Sequence, residues 1–301
     1  MDNKTVSVIK DIFIEQALQR KLDRDGIVCF KLPKAQLVDD CAHVLESLAP
    51  PVPEAMKKVF YSGVMDNDVE QKHKISNALR DVIEPVFKSM IKGYTFISFS
   101  YMVKGAGEKS MLDIHQDWTI TDEQKGWSYI LWIPLIDSTI ANGTMYALRG
   151  SHRFPDNIRG GGIFPKYMAN RELAMKHMVP YTVKRGEAVI FNSRLIHFSP
   201  NNTTDKGRMT AAGTLAPIGL PIKLHNGSLV DGNLKVKAYN VPADFYLNYT
   251  NFMAQKDEAP DFAQFDYDVP RPNTDALSDA EFQKLLNTLP KRPWYARLLG
   301  K

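Results

Sequence analysis

Gly186-Glu187-Ala188-Val189-Ile190-Phe191, then His197-Phe198-Ser199, then Arg208-Met209-Thr210-Ala211-Ala212-Gly213-Thr214-Leu215 form the stretch whose reading decides the fold. A turn glycine feeds a β-branched and aromatic strand. Between His197 and Arg208 lies Pro200-Asn201-Asn202-Thr203-Thr204-Asp205-Lys206-Gly207, dense in turn formers, so the chain reverses there. The returning strand can carry Arg208 back alongside His197, deeper in the fold. Working outward, strand-like runs occupy 94–103, 113–118, 128–136, 144–147, 179–184, 187–191, 195–199 and 208–216. Short strands of this number between helical flanks predict a mainly β chain, a double-stranded β-helix in which two sheets form a cupin-like jelly roll.

The flanks are helical. Ile9, Ile12, Phe13, Ala17 and Leu18 make one apolar stripe and predict a helix over 9–22. A short strand at 27–30 precedes a helix over 34–48, and Pro50–Pro53 acts as a stop. A mobile loop is expected around Tyr61-Ser62-Gly63, and a helix over 67–92 bent at Pro85. Residues 151–178 read as a long insert carrying Gly160-Gly161-Gly162. The tail from 222 looks irregular and rich in Tyr and Phe, ending in a capped helix at Ser278-Asp279-Ala280-Glu281. One domain over 1–301 is expected, with a helical part at 1–93, a jelly-roll core at 94–217 and a C-terminal wrap at 218–301.

The chemistry is carried by Ile114-His115-Gln116-Asp117-Trp118. Residues i and i+2 of a strand share a face, so His115 and Asp117 can grip one ion, with His197 supplied by a neighbouring strand. Two imidazoles and one carboxylate on one side of iron leave positions for a chelating keto acid and dioxygen. 2-Oxoglutarate bound that way would point its far carboxylate into the protein, where Arg208 offers a planar two-donor fork. Thr210, two residues along the same face, could add a hydroxyl. Lys104, Trp118, Tyr129, Tyr146, Arg149, His152 and Arg153 are candidate substrate-lining residues, with Tyr61 from the N-terminal loop; Lys104, Trp118, Tyr146 and Arg149 lead that set. His152 reads as a structural hydrogen-bonding residue of its loop, and His43, His73, His177 and His225 receive no role.

The chain resembles the phytanoyl-CoA dioxygenase-like branch of the iron(II)/2-oxoglutarate oxygenases from about residue 12 to 217. The resemblance rests on Asp25-Gly26-Ile27-Val28, on Ile114 to Trp118, on Asn142-Gly143-Thr144-Met145-Tyr146-Ala147-Leu148-Arg149-Gly150-Ser151-His152-Arg153, and on His197 through Arg208. It implies that His115, Asp117 and His197 ligate iron and that Arg208 anchors 2-oxoglutarate. It further implies that Ser199 gives the cosubstrate a hydroxyl, while Gln116 and Trp132 line its pocket. Arg149 stands where the family has a proline, a departure on the substrate side. The implied reaction consumes dioxygen and 2-oxoglutarate, releases succinate and CO2, and hydroxylates a substrate C–H bond. Related halogenases lack the carboxylate, so Asp117 favours hydroxylation; desaturation, cyclisation and epoxidation stay open.

Composition agrees with an enzyme that buries a full core, at 301 residues with 44% hydrophobic and 24% charged. A net charge of +4 with no basic run interleaved with aromatics gives no sign of nucleic-acid binding. Cys29 and Cys41 are too few and too spread for a disulfide framework. No apolar run reaches membrane-spanning length, and Met1-Asp2-Asn3-Lys4 lacks a signal-peptide pattern, so a cytoplasmic protein acting on a small molecule is expected, without membrane insertion. Two other classes stand beside the oxygenase: a cupin-like metal enzyme that uses no oxoglutarate, and a catalytically silent jelly-roll binding module.

Overall fold

Alternation at a period of two organises the largest sheet. The computed structural model describes residues 8–50, 57–250, 263–270 and 272–290; Pro51–Pro53 of the expected stop lie outside them. Strands β1 (Ile27–Lys31), β2 (Phe60–Ser62), β3 (Tyr94–Lys104), β5 (Tyr129–Pro134), β8 (Glu187–Asn192) and β10 (Arg208–Pro217) form a six-stranded sheet in the order β1-β8-β5-β10-β3-β2. Tyr129, Leu131 and Ile133 of β5, with Ala211 and Leu215 of β10, face a core shared with the helices α1 (Gln16–Asp25), α2 (Leu37–Leu48) and α3 (Val69–Phe87). The opposite face carries Ile130, Trp132, Met102, Lys104 and Arg208, and these line internal cavities. Every β10 partner is antiparallel, with Arg208 opposite Lys104, Thr210 opposite Met102 and Thr214 opposite Ser98.

The second sheet is four-stranded, in the order β4-β9-β6-β7, with β4 at Leu112–His115, β6 at Met145–Ala147, β7 at Val179–Tyr181 and β9 at His197–Ser199. The two sheets make the jelly roll. The outer side of this sheet is covered by the insert and by α6 (Asp279–Asn287), whose Phe282 and Leu286 pack with Phe154, Tyr167 and Ile196. The helix carries the capping box read from the sequence, with Ser278 and Glu281 bonded reciprocally.

Four local expectations are corrected. The helix expected over 9–22 begins only at Gln16. Its first residues are extended because their polar groups find partners elsewhere: Gln19 Oε1 accepts from the Ile12 and Phe13 amides, while the Tyr94 and Tyr129 hydroxyls donate to the Ile9 and Lys10 carbonyls. The loop expected at Tyr61-Ser62-Gly63 starts as β2, paired to the edge of β3. The tail expected to be irregular instead forms a long hairpin, β11 (Ile222–Val230) and β12 (Asn233–Val241), with β13 (Gln264–Asp268) added to its edge. Asp231 and Gly232, at φ 52° and 75°, form the two-residue connection, and an Asp-Gly pair favours just this turn because both residues must be left-handed. The helix expected over 67–92 spans Val69–Phe87, with Pro85 in its last turn.

Gly160 and Gly162 let the insert approach β11 closely. A Cβ on Gly160 would lie 2.2 Å from the His225 carbonyl oxygen, and one on Gly162 would lie 2.0 Å from that of Gly227. No helix among the described residues is long and apolar enough to cross a membrane.

Candidate metal centre

Strand pairing sets His115 directly opposite His197, because β4 and β9 run antiparallel with an irregularity between Leu112 and His115. Asp117 follows just beyond β4. Ligand atoms of His115, Asp117 and His197 all lie within 4.8 Å of one another, and His115 Nε2 is 3.8 Å from Asp117 Oδ1. Each imidazole is oriented by its other nitrogen: His115 Nδ1 donates to the Asp113 carbonyl at 2.7 Å and His197 Nδ1 to the Leu195 carbonyl at 2.9 Å. Those bonds fix the tautomer and leave both Nε2 lone pairs for a cation. Burial, with the His197 ring beside it, holds His115 down at about 4, so it is neutral at physiological pH, as a metal ligand must be. Asp117 Oδ2 is buried with no hydrogen-bond partner among the described residues. A buried carboxylate oxygen left bare next to two free imidazole nitrogens fits a divalent cation and little else.

Two cavities meet at this triad, since His115 and Asp117 line both. The inner one, about 100 Å³, ends at Lys104, Trp132, Ser199 and Arg208. Arg208 is 4% exposed and its guanidinium lies 4.9 Å from the centre of the Trp132 ring. It donates to the Asn142 and Gly143 carbonyls and to Thr210 Oγ1. Lys104, 2% exposed, donates to Ser199 Oγ at 2.6 Å and to the Ser199 carbonyl. Burial and the facing Arg208 lower its ammonium to about 7, while burial takes Arg208 to about 10. Among the described residues neither cation has an acidic partner, so this end of the cavity is prepared for an anion.

The outer cavity, about 450 Å³, is walled by β3, β4, the 57–65 segment and the insert. Trp118 and Gln116 line it.

Several residues expected at the site lie elsewhere. Lys104, expected on the substrate side, belongs to the inner cavity, because β3 register sets it opposite Arg208. Gln116, expected at the cosubstrate, faces the outer cavity instead, held by the Arg194 carbonyl and by Asn157 Nδ2. Thr210 accepts from Arg208 and so helps fix the guanidinium. Arg149 lines neither cavity; it pairs with Asp25 at 2.8 Å. Tyr146 packs at a tilt against Phe198, with ring centres 5.1 Å apart, and itself lines neither cavity. Tyr61 and Tyr129 are spent on Asp66 and the Lys10 carbonyl, and His152 and Arg153 on carbonyls of 23–24.

Sequence reading missed a buried ion cluster behind the metal loop. Arg159 Nε donates to the Asp117 carbonyl at 2.8 Å, and its two other nitrogens grip Glu123 at 3.0 and 2.5 Å. Glu123 also accepts from Arg194 at 3.2 Å, and Arg194 precedes His197 by three residues. One carboxylate thus ties together the segments bearing Asp117 and His197. Nothing in spacing announces this, because Glu123, Arg159 and Arg194 come from three separate loops.

A jelly roll that turns a His-X-Asp pair and a distant histidine toward one point, with a buried arginine behind them, defines a mononuclear metal protein of the two-histidine, one-carboxylate type. The chain belongs to the phytanoyl-CoA dioxygenase (PhyH) family, whose model matches residues 22–210. A phytanoyl-CoA dioxygenase domain-containing protein 1 homolog of Dictyostelium discoideum is 25% identical over 171 residues, covering 54% of this chain and 59% of the relative. A phytanoyl-CoA dioxygenase of Arabidopsis thaliana is 28% identical over 158 residues, covering 45% of this chain and 54% of the relative. The matched region therefore spans somewhat over half the length of these relatives. The fold is similar to that of the non-heme alpha ketoglutarate dependent carbocyclase SnoK, at a TM-score of 0.52 and 17% identity over 69% of this chain and 86% of SnoK. It is also similar to that of the epimerase SnoN, at 0.50 and 15% over 83% and 97%.

Proposed function

We propose that this chain is an iron(II)- and 2-oxoglutarate-dependent dioxygenase that hydroxylates an unactivated C–H bond of a small-molecule metabolite. The observation that carries the reading is the meeting of the two cavities at His115 and Asp117, the inner one ending in a pair of buried cations. His115, Asp117 and His197 would hold iron(II), which when bound supplies dioxygen activation coupled to oxidation of the keto acid to succinate and CO2. Arg208 receives the far carboxylate of 2-oxoglutarate with two parallel donors, and Lys104 and Ser199 complete that end. The Trp132 ring lies against the guanidinium, its centre 4.9 Å from the guanidinium carbon. Small volume and low polarity away from the cations keep water from the reacting centre. Asp117 completes the ligand set in the position a halide would otherwise take, which favours hydroxylation. A cytoplasmic location belongs to the same reading, supported by two free cysteines.

The test is succinate release from 2-oxoglutarate by the purified chain supplied with iron(II) and dioxygen. Uncoupled turnover, slow but dependent on iron, is the expected result. No succinate above a metal-free control, or full turnover by Arg208→Ala, contradicts the proposal.

A further inference from the structure

The face shared by β3 and β10 changes chemistry along its length. At one end Lys104 lies opposite Arg208; further along, Met102 lies opposite Thr210 and Ser100 opposite Ala212; then Ser98 lies opposite Thr214. At about 3.4 Å per residue the hydroxyl pair stands roughly 20 Å from the cation pair. Ser98 and Thr214 both line the outer cavity, side by side on paired strands. The remaining wall is dominated by hydrocarbon and thioether, from Ile120, Ile130, Ile163, Ile196, Met102 and Met168.

Two cations reach this wall, and both are committed. Arg159 is bound to Glu123 and to the Asp117 carbonyl. Lys166 donates to Asn273 Oδ1 at 2.9 Å and to the Asp275 carbonyl at 2.7 Å, and the nearby carboxylates of Asp275 and Glu281 offset its charge, as none does for Arg208 or Lys104. An anionic group inside the cavity would be desolvated without a partner, a cost that a hydrocarbon avoids. At the rim two large apolar side chains stand exposed, Met65 at 41% and Phe164 at 69%, one from the N-terminal part and one from the insert. They gain burial only when something apolar lies between them.

We propose that the substrate is an uncharged molecule, a largely hydrocarbon skeleton with a hydroxyl or carbonyl oxygen that docks on Ser98 and Thr214, admitted between Met65 and Phe164. A hydroxyl pair donates and accepts without net charge, so it orients a neutral oxygen and leaves an anion unrewarded. The cavity lies within the roughly 300–1,000 Å³ range that encloses drug-sized ligands. This inference rests on the oxygenase reading, and binding separates the two.

The experiment titrates the protein with iron(II) and 2-oxoglutarate under argon, following tryptophan fluorescence, since Trp118 lines the cavity. Three matched pairs serve as probes: pregnenolone and its sulfate, geranylgeraniol and its diphosphate, hexadecanol and palmitoyl-CoA. At least one neutral alcohol should bind, about tenfold or more tighter than its anionic partner. Ser98→Ala combined with Thr214→Val should weaken that alcohol by about three- to tenfold. Phe164→Asp, a change at an exposed side chain, should also weaken it, and the absorption of the iron–oxoglutarate chelate should persist in both variants. Failure of every neutral probe, tighter binding of the anion in each pair, or unchanged affinity in the double variant overturns the inference. Absence of the chelate absorption from the unsubstituted protein instead strikes the oxygenase reading.

Discussion

The two cavities share a metal triad and little else. The inner one is small and ends at Arg208 and Lys104, cations without acidic partners among the described residues. The outer one is several times larger, and its cations are neutralised by Glu123 or held by oxygens of the C-terminal segment. The difference teaches that charge here is used by location. An unpaired buried cation is costly unless an anion arrives, so leaving two at one point favours an anionic group there. Where the cations are already satisfied, the surrounding apolar wall decides what enters.

The sharpest way to break this division is to remove what joins the halves. Asp117→Ala should abolish iron(II)-dependent succinate formation and iron retention on gel filtration; retained turnover would show that the carboxylate is no ligand. Next comes the cluster behind it. Glu123→Ala leaves the buried Arg159 guanidinium without an acidic partner, while Arg194 keeps Asp156, and stability should fall by about 3 kcal/mol by denaturant titration. Iron affinity should fall about 10- to 100-fold in the fraction that folds, because Arg159 no longer steadies the Asp117 main chain. A variant as stable as the parent would make the cluster an ornament.

Smaller effects sharpen the inner cavity. Arg208→Lys should weaken 2-oxoglutarate by about tenfold, since a point charge replaces a fork; equal affinity by calorimetry contradicts the anchor. Lys104 sets a pH dependence. Its ammonium is lowered to about 7, with Arg208 facing it and the triad lining the same cavity. Below pH 7 it carries charge and greets a dianion; above, binding must recruit a proton, so affinity should drop about fivefold between pH 7 and 8. Lys104→Met should flatten that slope. The sign for stability is opposite. Between about pH 7 and 10 the unfolded lysine holds a proton the folded one lacks, so the ligand-free protein gains stability as pH rises.

Sequence carried the jelly roll and the triad because both are local in their signal. Alternation marks β3, continuous apolar runs mark β5 and β8, and His115 with Asp117 needs only a separation of two residues to converge, even though β4 ends at His115. Arg208 was legible through the turn formers at 200–207, which return the chain beside His197. What escaped was non-local. Lys104 reads as a substrate-side residue until register puts it opposite Arg208 in the inner cavity. Arg149 reads as a substrate contact until Asp25, far upstream, claims it. The helix expected from Ile9 failed because an interior glutamine, Gln19, takes the amides that helical turns would have used. The hairpin at 222–241 had a signal, Asp231-Gly232, flanked by too much charge and aromatic clutter for its alternation to stand out.

The joining of the cavities at one ion is tested most directly by anaerobic titration of the purified chain with iron(II) and 2-oxoglutarate, watching the visible charge-transfer absorption of the chelate. The band should appear at one equivalent of iron, vanish in Asp117→Ala and require more oxoglutarate in Arg208→Lys. A chain that binds iron yet never develops the band, or develops it equally well without Asp117, contradicts the account.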